Sequence, residues 1–315
     1  MKNIATAIAV ACCLTAGITS AHAADNYPTR PITLIVPYPA GGNADVSVRV
    51  LAEALEKELG QSVAVTPSPG AGGVTGTQKM LSSKPDGYTL LVSAQSSITV
   101  PTQTRKLSFQ WDTPTYIASI AAPTTYIGVD KNNKQIQTFQ DFVDLAKAKP
   151  GEVSVAIIGR AGLYQTIVLR MSEAADIKLK SLPFNGGPPT VAAVLGGHAD
   201  SLITDNFNDS LKAIALTGQP SDFYPGVKTL KELGFPNAES GVTYIVAAPN
   251  GTPQAVVDKL ESALKVAAGS PKYLEVLKSL RWNPLWRDQA ETRHAVQTEA
   301  MAVKGLVDAG LMNAE

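Results

Sequence analysis

The chain has 315 residues, of which 44% are hydrophobic and 17% are charged, and its 27 basic residues balance its 27 acidic ones. This composition is that of a soluble globular protein, and the neutral balance argues against binding to nucleic acid or to an anionic membrane surface. A chain of this length is long enough for two domains, each with its own core.

The first residues predict a secretory signal peptide. Met1-Lys2 is a short positive region, residues 4–18 are apolar and small, and Ala21-His22-Ala23 supplies the small residues before a cleavage site. We therefore expect residues 1–23 to be removed on export and the mature protein to reach the periplasm. Both cysteines, Cys12 and Cys13, lie in this leader, so an ordinary hydrophobic core must hold the mature chain without disulfides.

The stretch ITLIVPYPAGGNAD, residues 32–45, predicts a strand, a glycine turn and the start of a helix. Residues 32–36 form an apolar, β-branched run that is typical of a buried strand, and Pro37 and Pro39 end it. Asn43 or Asp45 is the expected cap of a helix over residues 46–59. Free backbone N–H groups and the positive end of the helix dipole would make this turn an anion site, the alternative being an ordinary strand-to-helix turn.

The next elements continue the alternation. We predict a strand at 62–66, a glycine-rich loop at 67–76, a helix at 77–82 and a strand at 89–93. The glycines at 70, 72 and 76 lack the spacing of a dinucleotide-binding fingerprint. Residues 94–97 form a polar loop at the carboxyl end of a strand, where open α/β sheets bind ligands.

The rest of the chain repeats the same units. Strands are expected at 116–120, 125–129, 153–158, 179–183 and 200–204, and helices at 139–147 (capped by Thr138), 163–175 and 190–195. Residues 159–162 form a second glycine-containing turn between a strand and a helix. Three helices end the chain, at 255–268 (capped by Thr252), 272–279 and 290–309.

Several motifs together resemble one family. The chain resembles the substrate-binding proteins of tripartite tricarboxylate transporters, the Bordetella uptake gene (Bug) receptors, over nearly its whole mature length. The motifs, in the family's order, are Ile35-Val36-Pro37-Tyr38-Pro39-Ala40-Gly41-Gly42 with Asp45 and Arg49, Pro69-Gly70-Ala71-Gly72-Gly73, Pro85-Asp86-Gly87-Tyr88-Thr89-Leu90-Leu91, Leu195-Gly196-Gly197 with Asp200, Thr229-Leu230 with Glu232-Leu233-Gly234, and Ala248-Pro249 with Gly251-Thr252-Pro253.

The resemblance implies an α/β periplasmic-binding-protein fold, type II-like, with two lobes and the ligand in the interdomain cleft. Lobe 1 would comprise residues 24–124 and 245–315, and lobe 2 residues 125–244. Two loops would hold one carboxylate through backbone N–H groups, small polar side chains and water. The implied contacts are Tyr38, Pro39, Ala40, Gly41, Gly42 and Asp45, then Ser93, Gln95 and Ser96, then Gly159, Arg160, Ala161, Gly162 and Tyr164, and finally Phe184, Asn185 and Asp205.

Three departures from the family pattern concern the ligand. Arg160 follows Gly159, and it would grip a carboxylate with two hydrogen bonds if it points inward or remain a solvated loop charge if it points outward. Tyr164 stands near the family's usual histidine, and Phe184-Asn185-Gly186 replaces a Tyr-Lys-Gly turn. Tyr38, Tyr164, Phe184 and Phe207 would either form an apolar slot for an aromatic or longer acid or pack between loop and lobe.

No catalytic motif stands out. The mature chain has only His198 and His294, and it lacks a Gly-x-Ser-x-Gly elbow and any metal-binding His or Cys pair. We expect no enzyme activity and no cofactor or metal. The expected function is a monomeric receptor that closes around a di- or tricarboxylate or an aromatic acid and passes it to membrane carrier subunits. The alternatives are a periplasmic sensor acting through a two-component partner and a secreted hydrolase based on Ser96.

Overall fold

The computed structural model describes residues 26–159, 162–184, 186–238 and 240–312. The predicted signal peptide and three of the expected contacts, Arg160, Ala161 and Asn185, lie outside these residues. No helix in the described ranges is both long enough and apolar enough to cross a bilayer.

The described chain alternates strands and helices. The strands are β1 (Ile32–Val36), β2 (Val63–Pro67), β3 (Thr89–Ala94), β4 (Thr115–Pro123), β5 (Tyr126–Asp130), β6 (Ser154–Ile158), β7 (Lys180–Phe184), β8 (Ser201–Thr204), β9 (Leu211–Leu216), β10 (Tyr244–Ala248) and β11 (Trp282–Arg287). The α-helices are α1 (Asn43–Leu59), α2 (Val74–Leu81), α3 (Ser96–Thr104), α4 (Phe139–Ala148), α5 (Leu163–Ala175), α6 (Gly187–Leu195), α7 (Gln254–Ala268), α8 (Pro271–Ser279) and α9 (Gln289–Asp308). Short 3₁₀ turns lie at Ala71–Gly73 and Pro236–Ala238.

The strands form two sheets, one in each lobe. The first has the order β11-β4-β10-β3-β1-β2 and the second the order β7-β6-β8-β5-β9. The strands β1, β2 and β3 are parallel neighbours, as are β7, β6 and β8. Each sheet therefore has a parallel part, in which β1, β3, β6 and β7 are followed by helices, and antiparallel strands complete it.

Hydrophobic runs explain both cores. Leu34, Ile35 and Val36 are at most 1% exposed, as expected for a parallel strand that is covered on both faces. The helix α1 buries Leu51 and Leu55 and packs against α7 over the first sheet. In the second lobe, amphipathic helices such as α4, α5 and α6 bury their apolar faces against the other sheet.

The two lobes are joined by neighbouring crossover segments. The described chain passes between the sheets at residues 124–125 and returns through residues 217–243. Backbone hydrogen bonds tie these segments together, because Thr217 N donates to Thr125 O at 2.9 Å and Ser240 N donates to Thr217 O at 2.6 Å. Such a short shared connection can act as a hinge.

Most predicted elements are present, and the helix 163–175 has the predicted bounds. Thr138 forms the predicted cap of α4, within a capping box completed by Asp141. Two other cap predictions are wrong. Helix α1 begins at Asn43 after Gly42, with Asp45 inside its first turn, and α7 is preceded by Pro253 while the Thr252 hydroxyl donates to Pro249 O.

Other differences concern elements that the local pattern did not reveal. Residues 96–104 form helix α3 rather than continuing a polar loop, and the strand β4 runs on through Pro123. The strands β9, β10 and β11 were not predicted. Strand β11 carries Pro284 and polar residues at the edge of its sheet, so its pairing with β4 gives little sequence signal.

Candidate ligand-binding cleft

A cleft of about 590 Å³ lies between the two lobes. From the first lobe it is lined by the β1–α1 turn, the glycine-rich loop before α2, and the start of α3. From the second lobe it is lined by the ends of β6 and β8 and the starts of α5 and α6. Pro39 and Gly42 of the first glycine turn therefore line the same space as Gly159 and Gly162, which flank the second.

Several helices begin at this cleft with no side chain capping their first backbone N–H groups. Residues of the first turns of α1, α3, α5 and α6 line it, and none of these four helices has a side-chain cap. Of the helices that begin elsewhere, α4 and α9 carry capping boxes, whereas α7 and α8 also lack a side-chain cap. Unsatisfied N–H groups and the positive ends of the helix dipoles from both lobes thus point toward the same volume, which suits an anion.

Asp45 holds the shape of the first turn instead of facing the cleft. The residue is 3% exposed, and its carboxylate accepts a hydrogen bond from Gly41 N at 2.9 Å and pairs with Arg49 through two contacts of 2.9 Å. The Arg49 hydrogen bond, aided by the Gly41 N–H, holds the pKa of Asp45 below its usual value against the effect of burial. Asp45 is therefore a positioning residue for the turn.

Tyr38 connects this turn to the neighbouring strand and to an aromatic wall. Its hydroxyl lies 2.7 Å from Ser97 Oγ and accepts a hydrogen bond from Ala94 N at 3.0 Å. Its ring centroid lies 6.2 Å from that of Tyr244, which in turn stacks on Trp282 at 4.8 Å. The cleft therefore combines backbone donors with a large apolar surface.

The glycine-rich loop before α2 brings backbone close to α3. Gly73 has a φ of +104°, and a Cβ atom there would lie 2.7 Å from Ser97 Cβ. A side chain at this position would be strained by the backbone conformation and would also clash with its neighbour. This steric requirement accounts for the glycine and leaves the loop backbone exposed to the cleft.

An acidic group marks the second lobe's side of the cleft. Asp205 follows β8, and the Tyr164 hydroxyl donates to its Oδ1 at 2.9 Å. Burial raises the pKa of Asp205 above its usual value, although the Tyr164 hydrogen bond opposes the rise. Next to it, the Tyr126 hydroxyl donates to Asn206 O at 2.8 Å and fixes the turn after β8.

The structure brings only some of the expected contacts to the cleft. The expected residues that line it are Tyr38, Pro39, Gly42, Ser96, Gly159, Gly162, Tyr164 and Asp205. The described ones that do not line it are Ala40, Gly41, Asp45, Ser93, Gln95 and Phe184. Ser93 is fully buried in β3, and Gln95 lines a different pocket of about 640 Å³ behind the crossover segments.

The expected aromatic slot has a different composition. Phe184 is partly buried and packs against the core of the second lobe. Phe207 is exposed, with the guanidinium of Arg281 3.2 Å from its ring centroid. Tyr244 and Trp282 occupy the cleft with Tyr38 and Tyr164. Neither Tyr244 nor Trp282 was expected there from the sequence, because they lie on β10 and β11, whose pairing with distant strands places them in the cleft.

The described residues include few charged side chains at the cleft and no evident metal site. No group of three or more His, Cys, Asp or Glu residues in the described ranges is placed to hold a metal ion. Asp205 is the acidic side chain among the described residues that line the cleft, and Arg105 is their basic one. The described part of the cleft thus offers backbone donors, apolar contacts and one side chain of each charge.

A family model described as "Tripartite tricarboxylate transporter family receptor" matches residues 47–310. The chain belongs to this receptor family. BugT of Bordetella pertussis is 31% identical over 309 residues, covering 93% of each chain, and a UPF0065 protein of Cupriavidus necator is 34% identical over 281 residues, covering 85% of this chain and 84% of the relative. The solved structure of the periplasmic binding protein BugD is 26% identical, with a TM-score of 0.77 over 91% of this chain and 100% of that one.

These comparisons confirm the family resemblance and the two-lobed α/β fold. Members of the tripartite tricarboxylate transporter receptor family are periplasmic solute-binding proteins, and the family is one of receptors rather than enzymes.

Proposed function

We propose that this receptor captures a small organic carboxylate in the interlobe cleft and presents it to the membrane subunits of a tripartite tricarboxylate transporter. The observation that carries the proposal is the convergence of uncapped helix N-termini from both lobes on one cleft. The α1, α3 and α5 termini offer backbone N–H donors to a negative group, whereas α6 begins with Gly187-Pro188-Pro189 and contributes mainly its helix dipole. Family membership supports the transporter partner.

Binding works by hinge closure. A ligand that accepts hydrogen bonds from the α1 and α5 termini interacts with both lobes, and it gains these contacts together only when the lobes are close. Ligand binding therefore shifts the population of receptors from the open state toward the closed state. The size of the shift is set by the difference between the ligand's affinities for the two states. The crossover segments around Thr125, Thr217 and Ser240 supply the hinge. We expect the mature receptor to work in the periplasm as a monomer.

A thermal-shift screen of organic acids on the mature chain tests this proposal, with hits measured by calorimetry. The screen should include mono-, di- and tricarboxylates, hydroxy acids, amino acids and aromatic acids. A ligand at 100 times its dissociation constant should stabilise the folded receptor by roughly 2.7 kcal/mol. If no carboxylate stabilises the protein while a neutral solute does, carboxylate capture is rejected.

A variant that adds a negative charge at the start of α1 tests whether the carboxylate binds there. Asn43 is the first residue of α1 and lines the cleft. Asn43→Asp preserves shape and suits the helix dipole, so the unliganded fold should be unharmed. The added charge should weaken carboxylate binding roughly tenfold or more. Asn250→Asp, on an exposed loop away from the cleft, is the matched control and should leave binding unchanged. Equal binding by wild type and Asn43→Asp would place the carboxylate elsewhere.

A further inference from the structure

The cleft contains a negative group where the helix termini favour an anion. Asp205 lines it from the second lobe, and Tyr164 and Asn206 both donate to the same oxygen, Oδ1, at 2.9 and 3.2 Å. Within the described part of the chain, no basic side chain forms an ion pair with Asp205. The backbone N–H of Asp205 also donates to the carboxylate, but a carboxylate has about four acceptor sites, so at least one remains available to a ligand.

A ligand in this cleft must suit both the helix termini and the carboxylate of Asp205. The helix termini favour one ionised carboxylate, but a second ionised carboxylate near Asp205 would be repelled in a partly desolvated site. A hydroxyl or an ammonium group instead donates a hydrogen bond to the carboxylate, and such charge-assisted bonds are the stronger ones. Burial raises the pKa of Asp205, which fits a carboxylate without a compensating cation of its own.

Resting on the proposed function, we propose that Asp205 accepts a hydrogen bond from the ligand, which is an organic acid carrying a hydroxyl or amino group instead of a second ionised carboxylate. The aromatic surroundings support the same chemistry. Tyr38, Tyr164 and Tyr244 line the cleft together with Asp205, and the Tyr164 hydroxyl donates to it. Their rings can contact an ammonium group or the carbon skeleton of the acid.

A matched ladder of probes separates the possible distal groups. For each chain length from four to eight carbons, the four probes are the unbranched fatty acid and its terminal hydroxy acid, amino acid and dicarboxylic acid. Calorimetry at pH 7.5 should show tighter binding for the hydroxy or amino acid than for the other two at the preferred length. The expected ratio is about tenfold to a hundredfold, the range for a hydrogen bond to a charged group. The amino and hydroxy members then show which donor is preferred.

The variant Asp205→Asn tests the residue itself. It keeps the side-chain shape, should lower the affinity for the preferred hydroxy or amino acid by roughly tenfold or more, and should improve binding of the matched dicarboxylate. Tyr164→Phe is the companion variant, because it removes one of the two internal donors to Oδ1, leaves the carboxylate in place and should preserve the preference for donor-bearing acids. Circular dichroism and thermal midpoints verify that both variants fold.

The outcomes distinguish the two proposals. If the dicarboxylate or the unsubstituted acid binds wild type most tightly, or if Asp205→Asn leaves the affinity for the best acid of the whole screen unchanged, the role of Asp205 is overturned while carboxylate capture stands. If no acid of the ladder or of the screen binds, carboxylate capture itself fails, and the assignment of Asp205 fails with it.

Discussion

Replacing Glu299 by glutamine should make the receptor more stable at neutral and alkaline pH. Glu299 lies on α9 and lines the pocket behind the crossover segments, with Gln95 and Arg170. Thr99 Oγ1 donates to its Oε2 at 3.0 Å. Burial raises the pKa of Glu299 to about 7, although hydrogen bonds from Thr99 and Gln95 and the charge of Arg170 oppose the rise.

The sign and size of the effect follow from this pKa. When the pKa of a carboxyl group is higher in the folded state than in the unfolded chain, ionising that group costs more free energy in the folded state. The group therefore destabilises the folded protein as the pH rises. The folded protein therefore loses stability through Glu299 as the pH rises from the ordinary value of 4.5 to about 7, and the loss is complete above that. The difference between these pKa values corresponds to at most about 3 kcal/mol.

Urea unfolding at pH 5, 6, 7 and 8 measures this effect. Glu299→Gln should match wild type near pH 5 and exceed its free energy of unfolding by up to about 3 kcal/mol at pH 8, since the amide can still accept from Thr99. Glu275→Gln, an exposed position on α8, is the control and should not change the pH profile. A difference between Glu299→Gln and wild type that is constant with pH, or a less stable variant at pH 8, would refute the reasoning.

Three further predictions concern the first turn, the aromatic wall and a helix cap. Asp45→Asn should weaken the hydrogen bonds between residue 45 and Arg49 and lower the free energy of unfolding in urea by about 1.5–3 kcal/mol. Ligand affinity should fall as well, although residue 45 does not line the cleft. Unchanged affinity would contradict its positioning role. Trp282→Phe should abolish most of the ligand-induced change in tryptophan fluorescence, because Trp282 lines the cleft. A fluorescence change as large as that of wild type would assign the change to another tryptophan. Thr138→Ala removes the capping box with Asp141 and should lower the free energy of unfolding in urea by about 1 kcal/mol, while ligand affinity stays constant. A lower affinity would show that α4 is coupled to the cleft.

Local patterns predicted the parallel parts of both lobes. The apolar run of β1, the glycines after it and the amphipathic α1 are neighbours in sequence, so hydrophobic periodicity and turn chemistry reveal them. The same holds for β6 and α5 in the second lobe. Because a strand, a turn and a helix start determine where backbone donors point, the anion-binding character of both turns could be expected from the order of the residues.

The roles of particular side chains did not follow from these patterns. Asp45 was expected to contact the ligand, but its hydrogen bonds to Gly41 and Arg49 turn it away from the cleft. Gln95 follows β3 yet faces the opposite side of the crossover segments. A residue's position in a loop predicts that it is near a site, whereas its direction depends on which partners satisfy its polar atoms.

The amino-acid order alone was enough to predict the α/β class, the family and the two glycine turns, because hydrophobic periodicity, turn residues and short motifs can be recognised directly in the chain. Only the tertiary structure decided that Tyr244 and Trp282 form a wall of the cleft. Those neighbours come from strands paired across more than a hundred residues, as β10 is with β4. Such pairings are set by packing and sheet register, which no local pattern encodes.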